Sequence, residues 1–220
     1  MKKEILCKLI DHTLLKPNAS EVEVVKLCKE AIEHNFMSVC INPCYIRVAK
    51  NILKDTDVKV CTVVGFPLGS NTRESKLFET EDAINKGAEE IDMVINISKL
   101  KNRDYKYVEG EIEDICNICH KNNVITKVII ETCLLTLEEK IEACKISKNV
   151  GADFVKTSTG FSSGGATKED IKLMRETVGD NIGVKASGAV RNYKDAIAMI
   201  ENGATRIGAS SSVTILNDAE

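Results

Sequence analysis

The chain has 220 residues, 43% of them hydrophobic, with thirty basic side chains against thirty-three acidic ones and a net charge of -3. That length buries a substantial core, and no linker divides it, so residues 1–220 read as one domain. The lysines are scattered rather than striped, which argues against a nucleic-acid footprint, and Glu4 and Lys8 break the apolar run near the start, so neither a signal peptide nor a membrane span is expected and the protein is expected in the cytoplasm.

Short β-branched runs alternate with amphipathic stretches along the whole chain, the pattern of repeated βα units and a parallel sheet. The first strand is expected over 9–14, followed by a helix that Ser20 and Glu23 open at capping-box spacing. Strands at 37–42 and 59–66 come next, and Asn71 with Glu74 marks the helix after them. The fourth strand, 90–96, and the fifth, 126–132, precede a helix opened by Thr136 and Glu139. The sixth strand, 154–158, leads to a helix opened by Thr167 and Asp170, the seventh, 182–187, to one opened by Asn192 and Asp195, and the eighth spans 206–209.

A faint repeat runs through KGAEEIDMV from Lys86, VGADFVKTS from Val150 and NGATRIGAS from Asn202. In each, a glycine (Gly87, Gly151 or Gly203) supplies the left-handed turn that ends a helix before the next strand. Eight βα units within about 200 to 250 residues fit a closed (β/α)8 TIM barrel. A doubly wound sheet would show a GxGxxG fingerprint after its first strand, and none is there.

Nine cysteines without a secretory signal read as reduced thiols. The string Cys116, Asn117, Ile118, Cys119, His120 matches a haem-attachment pattern, but Ile112, Ile115, Cys116 and Cys119 fall at helical spacing and read as the apolar face of a helix.

Three charged residues interrupt apolar strands: Asp92 in EIDMVIN, Lys156 in FVKTSTG and Lys185 in IGVKASG. If those faces point into the barrel, the three converge near the C-terminal strand ends, where barrel active sites gather. Two lysines against one carboxylate leave a positive charge over, which is expensive as architecture and useful as chemistry. A lysine amine attacks a carbonyl only when neutral, so its free pKa of about 10.4 must fall to roughly 7 to 8, and burial beside a second ammonium pushes that way. The imine that results is an electron sink for carbon–carbon cleavage and calls for neither metal nor cofactor. These residues alone do not decide which lysine is the nucleophile.

A phosphate cradle is legible nearby. Gly160 and Phe161, then Gly164 and Gly165, follow the sixth strand, Gly188 follows the seventh, and Gly208 with Ser210 and Ser211 closes the eighth before a short helix. Glycine lets backbone amides approach an anion, hydroxyls donate to it, and a helix start adds favourable partial charge. The same residues would also serve as tight turns and caps.

The ordered set IDHTLLKP, VCINP, VGFPLG, EIDMVIN, KVIIET, FVKTSTGF, GVKASG and RIGASS, spread over nearly the whole chain, resembles the deoxyribose-phosphate aldolase family. The resemblance implies a class I aldolase that reversibly cleaves 2-deoxy-D-ribose 5-phosphate into acetaldehyde and D-glyceraldehyde 3-phosphate, in the breakdown of deoxyribose phosphates. It implies that Lys156 forms the Schiff base, with Lys185 and Asp92 as proton-relay partners and Thr159 as a further member or a strand-end cap. It places Cys40 near the site, and Asn42 follows on the same strand face, so both could line the substrate pocket, with core packing the default for Cys40; it also implies a homodimer or another homo-oligomer. Asp11 and Thr13 could orient water or a substrate hydroxyl, His12 reads as scaffold, and Lys127 with Glu131 reads as a structural pair. With three histidines in the chain, no histidine metal cluster is expected. The chain departs from the family at Ala189, where a second glycine is usual, so an added methyl would narrow the phosphate seat or exclude a positive φ there. Some relatives continue into a longer tail ending in tyrosine, and no relay role for such a tail is carried over to a sequence that ends at Glu220.

Overall fold

The structure, a computed structural model, describes residues 1–219. In chain order its elements are α1 (Lys3–Cys7), β1 (Ile10–Leu14), α2 (Glu21–Glu33), β2 (Ser38–Ile41), α3 (Ile46–Leu53), β3 (Lys59–Val64), α4 (Arg73–Lys86), β4 (Glu90–Val94), α5 (Ile97–Lys101), α6 (Tyr105–Lys121), β5 (Ile125–Ile129), α7 (Leu137–Asn149), β6 (Phe154–Lys156), α8 (Lys168–Val178), β7 (Gly183–Ser187), α9 (Tyr193–Glu201), β8 (Arg206–Ala209) and α10 (Ser212–Asn217). The strands follow one another round a closed parallel barrel, and β8 pairs with β1 to shut it. This is the expected (β/α)8 barrel.

All eight expected strands form, but several stop early at their C-terminal ends. β4 ends at Val94 because Asn96 turns to cap α5, its side chain accepting from Lys99 N at 3.1 Å. β5 ends at Ile129, and Glu131 takes a left-handed conformation, φ 55 and ψ 65, that no strand accommodates. Ser20 and Thr136 form complete capping boxes, and Thr167 and Asn192 cap α8 and α9. The start of α4 lies one residue later than expected. Thr72 is its cap, because the Asn71 side chain is drawn to Glu79 at 3.2 Å. The helices α1 and α5 were not foreseen; each has five residues, too short for a periodic signal.

Alternation along the strands sorts the two layers. Ile91 and Met93 of β4, Val155 of β6 and Val184 and Ala186 of β7 face the helices and join the main apolar core. Cys40, Cys61 and Val63 face inward and form a small apolar cluster with Leu15. Cys116 and Cys119 are buried on α6, as the helical spacing predicts, and burial pushes their thiols up to about 12 and about 11. His120 beside them turns outward to Asp153 at 3.0 Å. Among the described residues, no helix is long and apolar enough to cross a membrane.

Candidate active site

Strand register brings the charged positions together before any side chain is considered. Lys156 lies opposite Lys185, Asp92 opposite Lys127, Lys185 opposite Arg206 and Asp11 opposite Gly208. All of these side chains except glycine point into the barrel, because each sits at the inward phase of its strand.

Asp92 is the hub. One of its carboxylate oxygens accepts from both Lys156 Nζ and Lys185 Nζ at 2.7 Å, and the other accepts from Lys127 Nζ at 2.8 Å and from the Cys61 thiol at 3.2 Å. Lys185 also reaches Asp11 at 2.5 Å, and Lys127 reaches Glu90 at 2.6 Å. Below them Arg206 bridges Asp11 at 2.7 Å and Glu90 at 3.0 Å. Four cations thus face three carboxylates, and the surplus charge expected from two lysines and one aspartate persists in a larger network.

Burial by itself would raise the Asp92 and Asp11 carboxyls, but the surrounding cations outweigh it. Lys127, Lys156 and Lys185 hold Asp92 well below its ordinary range, and Lys185 and Arg206 do the same for Asp11. Burial likewise works against the Lys185 and Lys127 ammonium groups, and their carboxylates overcome it, raising both. Lys156 differs from the other three cations in two ways. It touches one carboxylate, a shared one, where each of the others touches at least two. It also opens on a cavity.

That cavity, roughly 310 Å³, lies at the C-terminal strand ends, and Lys156 forms its floor. Thr159, Gly160 and Phe161 make one wall, Gly188 and Ala189 a second, and Gly208, Ser210 and Ser211 a third. Asp92, Asp11 and Lys185 lie beneath, fully buried. Gly208 has a reason beyond the cavity: a Cβ there would meet Lys185 Cε at 3.0 Å, so the glycine makes room for the lysine stem. Ser211 stands at the start of α10, yet its side chain makes no cap hydrogen bond. The α10 helix has six residues.

Several residues fall elsewhere than the sequence suggests. Asn42 is not part of the cavity wall; the chain leaves β2 at Ile41, and the Asn42 amide donates to the Lys16 carbonyl at 3.1 Å. Lys127 does not pair with Glu131. It belongs to the Asp92 network, while Glu131, turned by its left-handed backbone, accepts from the Thr159 hydroxyl at 2.5 Å. That bond occupies the Thr159 proton, so the hydroxyl serves the loop. Ala189 adopts φ 64 despite its methyl, so the positive φ survives the substitution.

Sequence reading missed Glu90, Lys127 and Arg206 as members of the network, and Lys16 and Arg191 on the cavity rim. Glu90 had a signal, since it shares the strand phase of Asp92 two residues on. Lys16 and Arg191 had none, since both lie in loops.

A closed parallel barrel with a lysine opening on a cavity at its C-terminal face defines a barrel enzyme of the aldolase type. The chain belongs to the DeoC/LacD aldolase family, whose model matches residues 5–218. It is 64% identical over 215 residues to a deoxyribose-phosphate aldolase of Clostridium perfringens (strain SM101 / Type A), covering 98% of this chain and 96% of that one. It is 61% identical over 214 residues to the deoxyribose-phosphate aldolase of Thermoanaerobacter sp. (strain X514), covering 97% and 96%. Among solved structures, it is similar to the tetrameric deoxyribose phosphate aldolase of Aeropyrum pernix, with TM-score 0.92, 33% identity, and coverage of 98% of this chain and 91% of that one.

Proposed function

We propose that this protein is a class I aldolase that reversibly cleaves 2-deoxy-D-ribose 5-phosphate into acetaldehyde and D-glyceraldehyde 3-phosphate, with one barrel carrying the whole reaction. The observation that carries the reading is Lys156, the cation of the buried network that has a single carboxylate partner and an open face on the cavity.

In this reading Lys156 Nζ, uncharged when it attacks, adds to C1 of the open-chain sugar. Asp92, acting through a water, assists loss of hydroxide from the carbinolamine as water, leaving a protonated imine. A base then takes the proton of the 3-hydroxyl. The C2–C3 bond breaks, its electron pair moves into the imine as an enamine, and glyceraldehyde 3-phosphate leaves. Protonation of the enamine at C2 and hydrolysis release acetaldehyde and restore the amine. Because one oxygen of Asp92 lies 2.7 Å from both Lys156 and Lys185, a proton can pass between the two amines through a single acceptor. The imine is the electron sink, so the steps as written use no metal or cofactor.

The phosphate is assigned to the far end of the cavity, where the Gly188–Ala189 backbone and the hydroxyls of Ser210 and Ser211 converge, with Lys16 and Arg191 adding positive charge at the rim. With α10 so short, the seat rests on amides and hydroxyls rather than on a helix dipole. Self-association is part of the proposal, supported by the tetrameric relative.

Incubation with acetaldehyde and borohydride, then peptide mass mapping, tests the reading. An ethyl group on Lys156 is expected, lost in Lys156→Arg. A protein that binds the sugar phosphate without forming any adduct is not a class I aldolase. An adduct with no turnover of 2-deoxy-D-ribose 5-phosphate points to another imine-forming barrel enzyme, to be found with a panel of sugar phosphates.

A further inference from the structure

Thr157 and Ser158 are tied to β7 through Lys185 and Ser187, but the loop beyond them has little main-chain bonding to hold it. From Ser158 to Gly165 no main-chain amide donates to another main-chain group among the described residues, although three of these residues wall the cavity. Its anchor comes from a neighbouring strand end. Glu131 is buried, with 1% exposure, and its carboxylate accepts from Thr159 N at 3.2 and 3.3 Å and from Thr159 Oγ1 at 2.5 Å. The same Thr159 oxygen accepts from Phe161 N at 3.0 Å, and the Phe161 ring meets Phe66 edge-on at 5.3 Å. Gly160, between the two, has φ 84 and open space where a Cβ would be, so it contributes no packing of its own.

Glu131 is an expensive residue for this corner. Its backbone is left-handed, a conformation that glycine or asparagine would adopt more easily. Its carboxylate is buried with no basic side chain paired to it among the described residues, since Lys127 is engaged by Glu90 and Asp92. Two local costs at one position, beside the cavity, mark a residue held by what it positions.

We propose that Glu131 is a positioning residue for the reaction: acting through Thr159, it fixes the Thr159–Gly160–Phe161 wall, whose Gly160 lies against the Gly188 side of the phosphate seat, and so shapes the space for the phosphate-bearing half of the substrate, while leaving imine formation at Lys156 untouched. The inference rests on the aldolase reading given above. It separates two steps that a general loss of structure would damage together, because acetaldehyde needs only Lys156 and the Asp92 network beneath it, and the sugar phosphate needs the wall as well.

The test compares Glu131→Asn, which suits the left-handed backbone but lacks the reach, with Thr159→Val, which removes the hydroxyl, and with Thr159→Ser, which restores it. For the first two, KM for 2-deoxy-D-ribose 5-phosphate is expected to rise about tenfold or more, with kcat changing by less than about threefold. The rate of borohydride trapping with acetaldehyde stays at the wild-type value. Thr159→Ser returns KM to within about twofold of wild type, and the double variant is no worse than either single one. An unchanged KM in Thr159→Val, or trapping that falls in proportion to turnover, overturns the proposal, and Thr159→Val carries the test alone if Glu131→Asn does not accumulate. Absence of a wild-type adduct at Lys156 would instead remove the aldolase reading itself.

Discussion

Two groups of buried lysines and carboxylates flank β4, and they are built on opposite principles. On the helix side, Lys76 of α4 and Glu111 of α6 pair at 2.7 Å with no exposure, one cation to one anion. Their remaining capacity is used on the strand end: Lys76 donates to the Val94 carbonyl at 2.8 Å, and Glu111 accepts from Asn96 N at 2.5 Å. On the barrel side, Asp92 is shared by three lysines, and one of those opens on a cavity. A matched and closed pair braces the end of β4 that the Asn96 cap defines. A cation-rich, partly open network keeps a proton in circulation beside an amine that can react. Burial of a lysine is therefore no sign of catalysis by itself; the imbalance of charge and the open face are.

Substitution separates the two groups sharply. Lys156→Met should lower turnover of 2-deoxy-D-ribose 5-phosphate by roughly 10⁴-fold or more, because it removes the amine at the cavity floor, while removing one cation from a cation-rich set leaves the fold intact. Steady-state kinetics with a urea unfolding curve on the same sample checks both halves.

Lys76→Met should behave in the reverse way. It strands the Glu111 carboxylate and is expected to cost about 3–5 kcal/mol of stability. Adding Glu111→Gln neutralises that charge and keeps an acceptor for Asn96 N, so the double variant should lose only about 1–3 kcal/mol, most of it at the Val94 carbonyl. Turnover per folded molecule should stay within about threefold of wild type. A larger loss of activity in the double variant would mean that the closed pair also sets the position of Asp92.

The barrel itself was legible because its signals are local and repeated: eight β-branched runs, capping pairs at Ser20, Thr136, Thr167 and Asn192, and helix-ending glycines. Asp92, Lys156 and Lys185 were legible because charge is conspicuous in an apolar strand. What stayed hidden was partnership across strands. Lys127 and Glu131 share a phase in sequence, but the strand ends between them, and register sends Lys127 to Asp92 instead. Lys76 and Glu111 lie thirty-five positions apart on two helices, where nothing local marks them as a pair. Element boundaries proved hardest to place because side chains such as Asn71, beside the start of α4, and Asn96, past the end of β4, answer to whatever hydrogen bonds the fold offers.

The contrast of inner and outer faces also appears on β1. Asp11 faces inward to Lys185 and Arg206, while His12 faces outward, 3% exposed, with Nε2 at 2.8 Å from Glu30 and its ring against Phe36. Burial pushes the His12 imidazole down, and Glu30 only partly opposes it. A lowered folded value means that the unfolded chain takes up the proton first. The contribution of His12 is thus present above its ordinary value of about 6.5 and is lost as pH falls from there through the lowered one. Urea midpoints measured between pH 8 and pH 5 should fall less steeply for His12→Phe than for wild type. Equal slopes would show that the carboxylates alone govern this range.

The smallest effect belongs to Ala189, and it asks whether strain at the mouth is needed there. Its φ of 64 costs a non-glycine residue roughly 1–2 kcal/mol, and Ala189→Gly would relieve it. Against that, glycine loosens the unfolded chain by about 0.4–1 kcal/mol, so the net gain should stay under about 1.6 kcal/mol, a rise of at most roughly 3–6 °C in melting temperature. Gly188 beside it is also left-handed and sits against Gly165, where an added Cβ would come within 3.0 Å of Gly165 Cα, so the turn is already fixed from the neighbouring side. The methyl of Ala189 is then a tolerated burden rather than a part of the phosphate seat. KM for the sugar phosphate should therefore move by less than about twofold in Ala189→Gly. A clear rise in KM with no change in melting temperature would reverse that conclusion, making the alanine the element that stiffens the seat and placing its strain among the features the open side of the barrel keeps for function.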